Sequence, residues 1–175
     1  MVDLQTISVI LAATSIVIAA TYYIMVIGNT IRTRQAQLFM QIYQGYSSEK
    51  LQNTYYELLH FEWDDYADFE RKYGSGDHPE LAAEREAHWA WFDGMGVLLK
   101  KKLIDPEVVF ETLGHGGVLF MWTKFESIIK AQREIYNMPL RLNGFEYLAE
   151  QMKKMTEQRG FKVDVPDTFD RYVEK

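Results

Sequence analysis

A chain of 175 residues is long enough for one domain of ordinary size, and 47% hydrophobic with 14% aromatic content allows a substantial core. With no cysteine, disulfides, thiolate metal sites and cysteine nucleophiles are excluded, a usage compatible with a reducing compartment. A net charge of −6 argues against a nucleic-acid surface, which needs clustered cations.

From Leu4 to Ile31 the sequence carries no charge. About 20 apolar residues span a hydrocarbon core. The most apolar part, Ile7 to Ile27, fits one span with room for tilt. Tyr22 and Tyr23 then fall near an interface, where amphipathic rings are favoured. A cleaved signal peptide fits poorly, because Asp3 stands where basic residues belong and the apolar run is too long. The expectation is an uncleaved anchor over residues 1–31. Arg32 and Arg34 mark the membrane boundary and place the following domain in the cytoplasm at the plasma membrane, with the N-terminus outside. Ser8, Ala12, Ser15 and Ala19 recur at helical spacing and form a small-residue packing face, although Ala and Ser are also simply common in such helices.

Beyond Arg34 the composition changes but the period does not. Phe39, Ile42, Tyr43 and Tyr46 follow the i, i+3, i+4, i+7 rule with Gln37, Gln41 and Gln44 off the stripe. No proline interrupts Leu4 to Tyr46, so one helix of about 40 residues, about 60 Å long, is predicted. Ser47 or Ser48 caps the next helix, whose buried face is Leu51, Tyr55, Leu58 and Leu59. Asp64 or Asp65 caps a short helix through Phe69 and Tyr73. "GSGDHPE", Gly74 to Glu80, is a loop with a capping aspartate and a first-turn proline.

A long helix is predicted from Glu80 to Leu103 with Leu81, Arg85, His88, Phe92, Met95 and Leu99 on one stripe. Lys100 to Lys102, the only basic run, complements the dipole at its end. Asp105 and Pro106 read as N-cap and first helical position. "GHGG", Gly114 to Gly117, bends or interrupts that helix. The chain resumes with Val118, Trp122, Phe125 and Ile129 on one face. "NGFE", Asn143 to Glu146, has capping-box spacing and opens a last helix through Phe145, Leu148, Met152 and Met155. A tail of residues 161–175 follows. The fold class is all-α: a single N-terminal transmembrane helix continuing into a soluble helical bundle over residues 32–160.

Motifs that bear chemistry are sparse. Glu57 and His60, at i, i+3, face one side of a helix as metal ligands do in di-iron bundles, but the second such pair and further carboxylates are missing. Glu84 with His88 and Glu111 with His115 stand at i, i+4. These residues read as solvated or structurally paired. Arg85 and His88 on an apolar stripe demand partners, since an unpaired buried charge is costly. Glu57 and Glu62 on the preceding segment are the expected members of that buried polar network. "GHGG" lacks the strand, spacing and Lys-Ser/Thr of a phosphate loop. "FEWDDYADFE", Phe61 to Glu70, is an acidic, aromatic cluster, a solvated turn with its rings inward or a docking surface for a basic partner. No serine sits in a nucleophile-elbow context.

With "TRQAQLFMQIY" after the span, "FDGMGVLLKKKLIDPEVVFETLG", and "WTKFESIIKAQRE" followed by "NGFEYL", the chain resembles an uncharacterised family of small bacterial and archaeal proteins. That family has an N-terminal single-pass membrane helix and a helical cytoplasmic domain of unknown function. The resemblance implies no catalytic residues. The expectation is a membrane-anchored accessory subunit or interaction scaffold, with lipid, copies of itself or other membrane subunits as partners, no nucleic acid and no cofactor. Two alternatives are a membrane-tethered sensor binding a small ligand near Arg85, His88 and Trp122, and a metal-dependent enzyme using Glu57 and His60.

Overall fold

The computed structural model describes residues 3–163. Among them are seven helices and no strands: α1 (Leu4–Tyr46), α2 (Glu49–Leu59), α3 (Tyr66–Tyr73), α4 (Pro79–Lys100), α5 (Pro106–Leu113), α6 (His115–Ile135) and α7 (Asn143–Gln158). The residues divide into two compact units, with the boundary between Gln41 and Ile42, later than the Ile31 end of the uncharged run.

The first unit is α1 up to Gln41. Asp3 accepts hydrogen bonds from the backbone N–H groups of Gln5 and Thr6 and so caps the helix. The helix passes Gly28 and Asn29 to Gln35 without a break, as the unbroken apolar period predicts. Every residue from 3 to 34 is exposed. The hydroxyls of Ser8, Thr14, Ser15, Thr21 and Thr30 each donate to the carbonyl four residues earlier, at 2.8 Å. Such back-bonding removes a hydroxyl's need for water.

The second unit runs from Ile42. Local chemistry sets most of its helix starts. Ser48 accepts from Leu51 N–H at 3.3 Å, Asp65 from Asp68 N–H at 2.8 Å, and Asp105 from Glu107 N–H at 2.9 Å. Two starts differ from the expected chemistry. At α4 the N-cap is His78, with no side-chain cap, and Pro79 occupies the first turn; Asp77 is not the cap. At α7 the Asn143 capping box does not form. Leu142, at φ 53°, precedes the helix, and Asp93 Oδ1 on α4 accepts from Gly144 N–H (2.7 Å) and Phe145 N–H (3.1 Å). A carboxylate from another helix satisfies the donors that a local cap would have taken.

Helix α4 also ends earlier than predicted, at Lys100, and a turn through Lys102 at φ 57° follows. Gly114, at φ 70°, separates α5 from α6, so "GHGG" is an interruption rather than a bend.

The core is built on α4 and α7. They cross where Gly96 meets Gly144: a Cβ on Gly96 would lie 1.7 Å from the Gly144 carbonyl oxygen. Beside this crossing Phe92 stacks on Phe145 at 4.8 Å between centroids, and Trp122 meets Phe145 edge-on at 5.1 Å. Helix α6 packs on α7, and Val118, Met121, Phe125, Ile128 and Ile129 of α6 are buried, as are Leu148 and Met152 of α7. Phe125 is the centre of an aromatic cluster, 5.2 Å from Trp63 and 5.1 Å from Trp89.

Candidate functional site

The chemistry-bearing residues of the second unit lie on and around the α4 stripe. Arg85 and His88, one turn apart, are both buried. The Arg85 guanidinium sits between the faces of Phe69 (4.9 Å) and Trp89 (5.0 Å). Its Nη1 donates to the Tyr73 carbonyl at 2.6 Å, and its Nη2 lies 3.5 Å from Glu86. Burial lowers its pKa, against the attraction of Glu86.

The expected partners are different ones. Glu57 and Glu62 are exposed, and neither closes on Arg85. Tyr73, at the end of α3, and Glu86, one residue along α4, take their place. The reason is direction: Arg85 reaches toward α3, against the rings of Phe69 and Trp89, where the Tyr73 carbonyl ends a helix.

Glu86 continues the network. Arg141 Nη2 grips its carboxylate (2.6 and 2.5 Å), and Arg141 Nε donates to Gln132 at 3.1 Å. Arg133 donates to the Arg141 carbonyl at 2.8 Å and to Glu146 at 2.7 Å. Helices α4, α6 and α7 are thereby tied through the segment that joins the last two.

Lys124 is also buried, with its ammonium 5.1 Å from the Trp63 ring. Burial lowers its pKa to about 8, opposed by the charge of Glu62. Lys124 was legible in principle: Met121, Lys124, Phe125, Ile128, Ile129 and Gln132 share one helical stripe, and all six are buried. Glu86, Arg141 and Asp93 carry no such local signal.

His88 packs edge-on against Phe92 (5.2 Å) and beside Tyr55 (5.8 Å), and neither ring nitrogen meets a protein partner. Burial brings its pKa down to about 4. Tyr55 donates to the Gly117 carbonyl at 3.1 Å, and burial raises its pKa. A buried neutral His makes stability depend on acid. The unfolded chain protonates His88 near pH 6.5. The folded chain does so only near pH 4. Between these values the unfolded state binds more protons, so stability falls as pH falls and is unaffected above the window. The full loss is roughly 3 kcal/mol. Urea unfolding of wild type and His88→Leu, at about pH 7.5 and about pH 4.5, is expected to show the larger acid loss in wild type.

Glu57 and His60 both lie on α2 or its cap and are exposed; His60 Nδ1 contacts the Tyr56 carbonyl at 2.6 Å. Among the described residues no group of three or more His, Asp or Glu is arranged to hold a metal. Glu57 instead borders an open surface cleft of about 370 Å³ with Glu49, Lys50, Asn53 and Glu84. A second cleft of about 360 Å³ adjoins it, lined by Ser48, Leu51, Ala83 and Ala87 among others. Neither is lined by Arg85, His88 or Trp122. His115 stacks on Phe110 at 5.1 Å. Ser8, Ala12, Ser15 and Ala19 stand exposed along α1, as do Arg32 and Arg34.

Against known proteins, a family model described as a domain of unknown function (DUF4760) matches residues 5–152. No curated protein and no solved structure matches.

Proposed function

The chain belongs to the family of the domain of unknown function DUF4760, and from that premise we propose a membrane-anchored helical protein, an accessory subunit or interaction scaffold of a membrane complex. Helix α1 carries this reading. It contains an 18-residue window of mean hydropathy 2.2 in which no residue is buried. Apolar surface left in water costs about 25 cal/mol per Å². A bilayer is the medium that relieves that cost along a helix of this length. The back-bonded hydroxyls support the same reading, because in hydrocarbon each polar group must find its partner within the protein.

Arg32 and Arg34 at one end of the apolar run, against Asp3 at the other, favour a cytoplasmic second unit at the plasma membrane with the N-terminus outside. Ser8, Ala12, Ser15 and Ala19 offer a face for a second copy or another membrane subunit. The sequence holds no catalytic motif to set against a binding role.

The test uses the full chain in cells. It is expected to stay in carbonate-washed membranes at its full mass; release, or loss of the N-terminal segment, would overturn the anchor. Because the protein has no cysteine, single cysteines can report topology. A membrane-impermeant maleimide is expected to label Gln5→Cys in intact cells and Glu150→Cys only after permeabilisation. Native mass in mild detergent addresses the scaffold role, which a bare monomer with no copurifying protein would contradict.

A further inference from the structure

Asn143 is followed by Gly144, whereas Asn29, Asn53 and Asn137 are followed by Thr30, Thr54 and Met138. An asparagine before a glycine has a reaction of its own. The glycine backbone nitrogen attacks the side-chain carbonyl carbon of the asparagine. An N–Cγ bond forms and the Cγ–Nδ2 bond breaks. Ammonia leaves, carrying the proton that the glycine nitrogen gives up. Water then opens the five-membered ring at either carbonyl and leaves aspartate or isoaspartate. Glycine favours the attack because it has no side chain in the way and restricts the backbone least.

The fold opposes that reaction at Gly144. Asn143 is the first residue of α7, and closing the ring requires its backbone to leave the helical conformation. The Gly144 N–H donates to Asp93 Oδ1 at 2.7 Å, and the Phe145 N–H donates to the same oxygen at 3.1 Å. The attacking nitrogen must lose its proton, and a carboxylate bonded to that proton disfavours the negative charge that would develop there. Gly144 is also buried. A Cβ on it would lie 2.2 Å from the Asp93 carbonyl oxygen and 2.9 Å from Val97 Cγ2. With α4 this close, the Gly144 backbone has no space to turn.

We propose that Asn143–Gly144 is a latent self-modification site, held shut by Asp93 while α7 is docked on α4 and reactive when the first turn of α7 comes away. The substrate is the chain itself, and the co-reactant is water. Proteins open locally as well as globally, so the site reacts through the opened state. The product does not fit back. Isoaspartate adds a methylene to the main chain immediately before Gly144. The crossing has no slack for it, since a Cβ on Gly96 would already lie 1.7 Å from the Gly144 carbonyl oxygen. Aspartate puts a second negative charge on the residue next to the one that Asp93 caps. Either product leaves the contact between α4 and α7 permanently looser.

The full-length protein in mild detergent is held in mildly alkaline buffer at physiological temperature, and conversion at residue 143 is followed by peptide mass spectrometry. Folded wild type is expected to convert at least about tenfold more slowly than the same chain unfolded in urea. Equal rates overturn the proposal. Asp93→Ala is compared with wild type brought by urea to the same unfolded fraction, and is expected to convert severalfold faster. Equal conversion in that comparison overturns the part given to Asp93. Asp93→Asn keeps an acceptor oxygen and serves where the alanine variant does not fold. It is expected to convert severalfold more slowly than the unfolded chain; a folded Asp93→Asn as fast as that chain overturns the guard. Converted wild type is expected to melt at a lower temperature than unconverted protein, and an unchanged Tm overturns the lasting effect.

Discussion

Gly96→Ala is expected to lower the stability of the helical unit by about 3 kcal/mol, and Gly94→Ala, two residues away on the same helix, to raise it by up to about 1 kcal/mol. The two substitutions share one favourable term, because alanine is a better helix former than glycine by about 1 kcal/mol. They differ in what the new methyl meets. At Gly94 nothing lies within 4 Å. At Gly96 the Cβ would fall 1.7 Å from the Gly144 carbonyl oxygen and 2.3 Å from its carbon. These are backbone atoms and cannot swing aside, so α4 and α7 must move apart. Separation also strains the two hydrogen bonds from Gly144 and Phe145 to Asp93. The clash therefore outweighs the propensity gain. Thermal unfolding in mild detergent is expected to show a fall of about 6–12 °C for Gly96→Ala. Equal behaviour of the two variants would show the helix crossing to be loose.

Arg85→Ala is expected to cost about 3–5 kcal/mol, and Arg85→Met less than about 1.5 kcal/mol. Both substitutions leave the Tyr73 carbonyl without its donor, and alanine in addition empties the space beside Phe69 and Trp89. Methionine fills most of that space with a polarisable chain that packs well on aromatic faces. It also removes a charge whose burial is itself unfavourable. Trp89 lies against the substituted side chain, so its fluorescence follows the unfolding directly. If both variants lost the same amount, the charge rather than the packing would be the stabilising element.

What the sequence revealed follows from how far each signal reaches. The continuity of α1 was legible because period and the absence of proline are local properties. Ser48, Asp65 and Asp105 were legible as caps because each bonds within three residues of itself. Asn143 was misread because α7 takes its cap from Asp93, and nothing near Asn143 records a carboxylate on another helix. Arg85 and His88 were placed inside correctly by spacing, yet the partners of Arg85 were not, since proximity along the chain says little about which way a long side chain turns. The charge of Lys124 runs against its neighbours on an apolar stripe, and only their spacing signals its burial. The metal-like spacing of Glu57 and His60 is shared by many helices, and spacing alone could not separate it from an exposed pair.

The capping of α7 by Asp93 has a consequence for the order of events during synthesis. The bond spans 51 residues, so α4 is made well before the segment that completes it. Until Gly144 and Phe145 emerge, the glycine notch at Gly96 and the side chain of Phe92 have no cover from α7. Contacts this distant in sequence form late and slow a fold down. During the interval in which α4 exists without α7, this part of the core stays open and adds to the apolar surface that the nascent chain exposes.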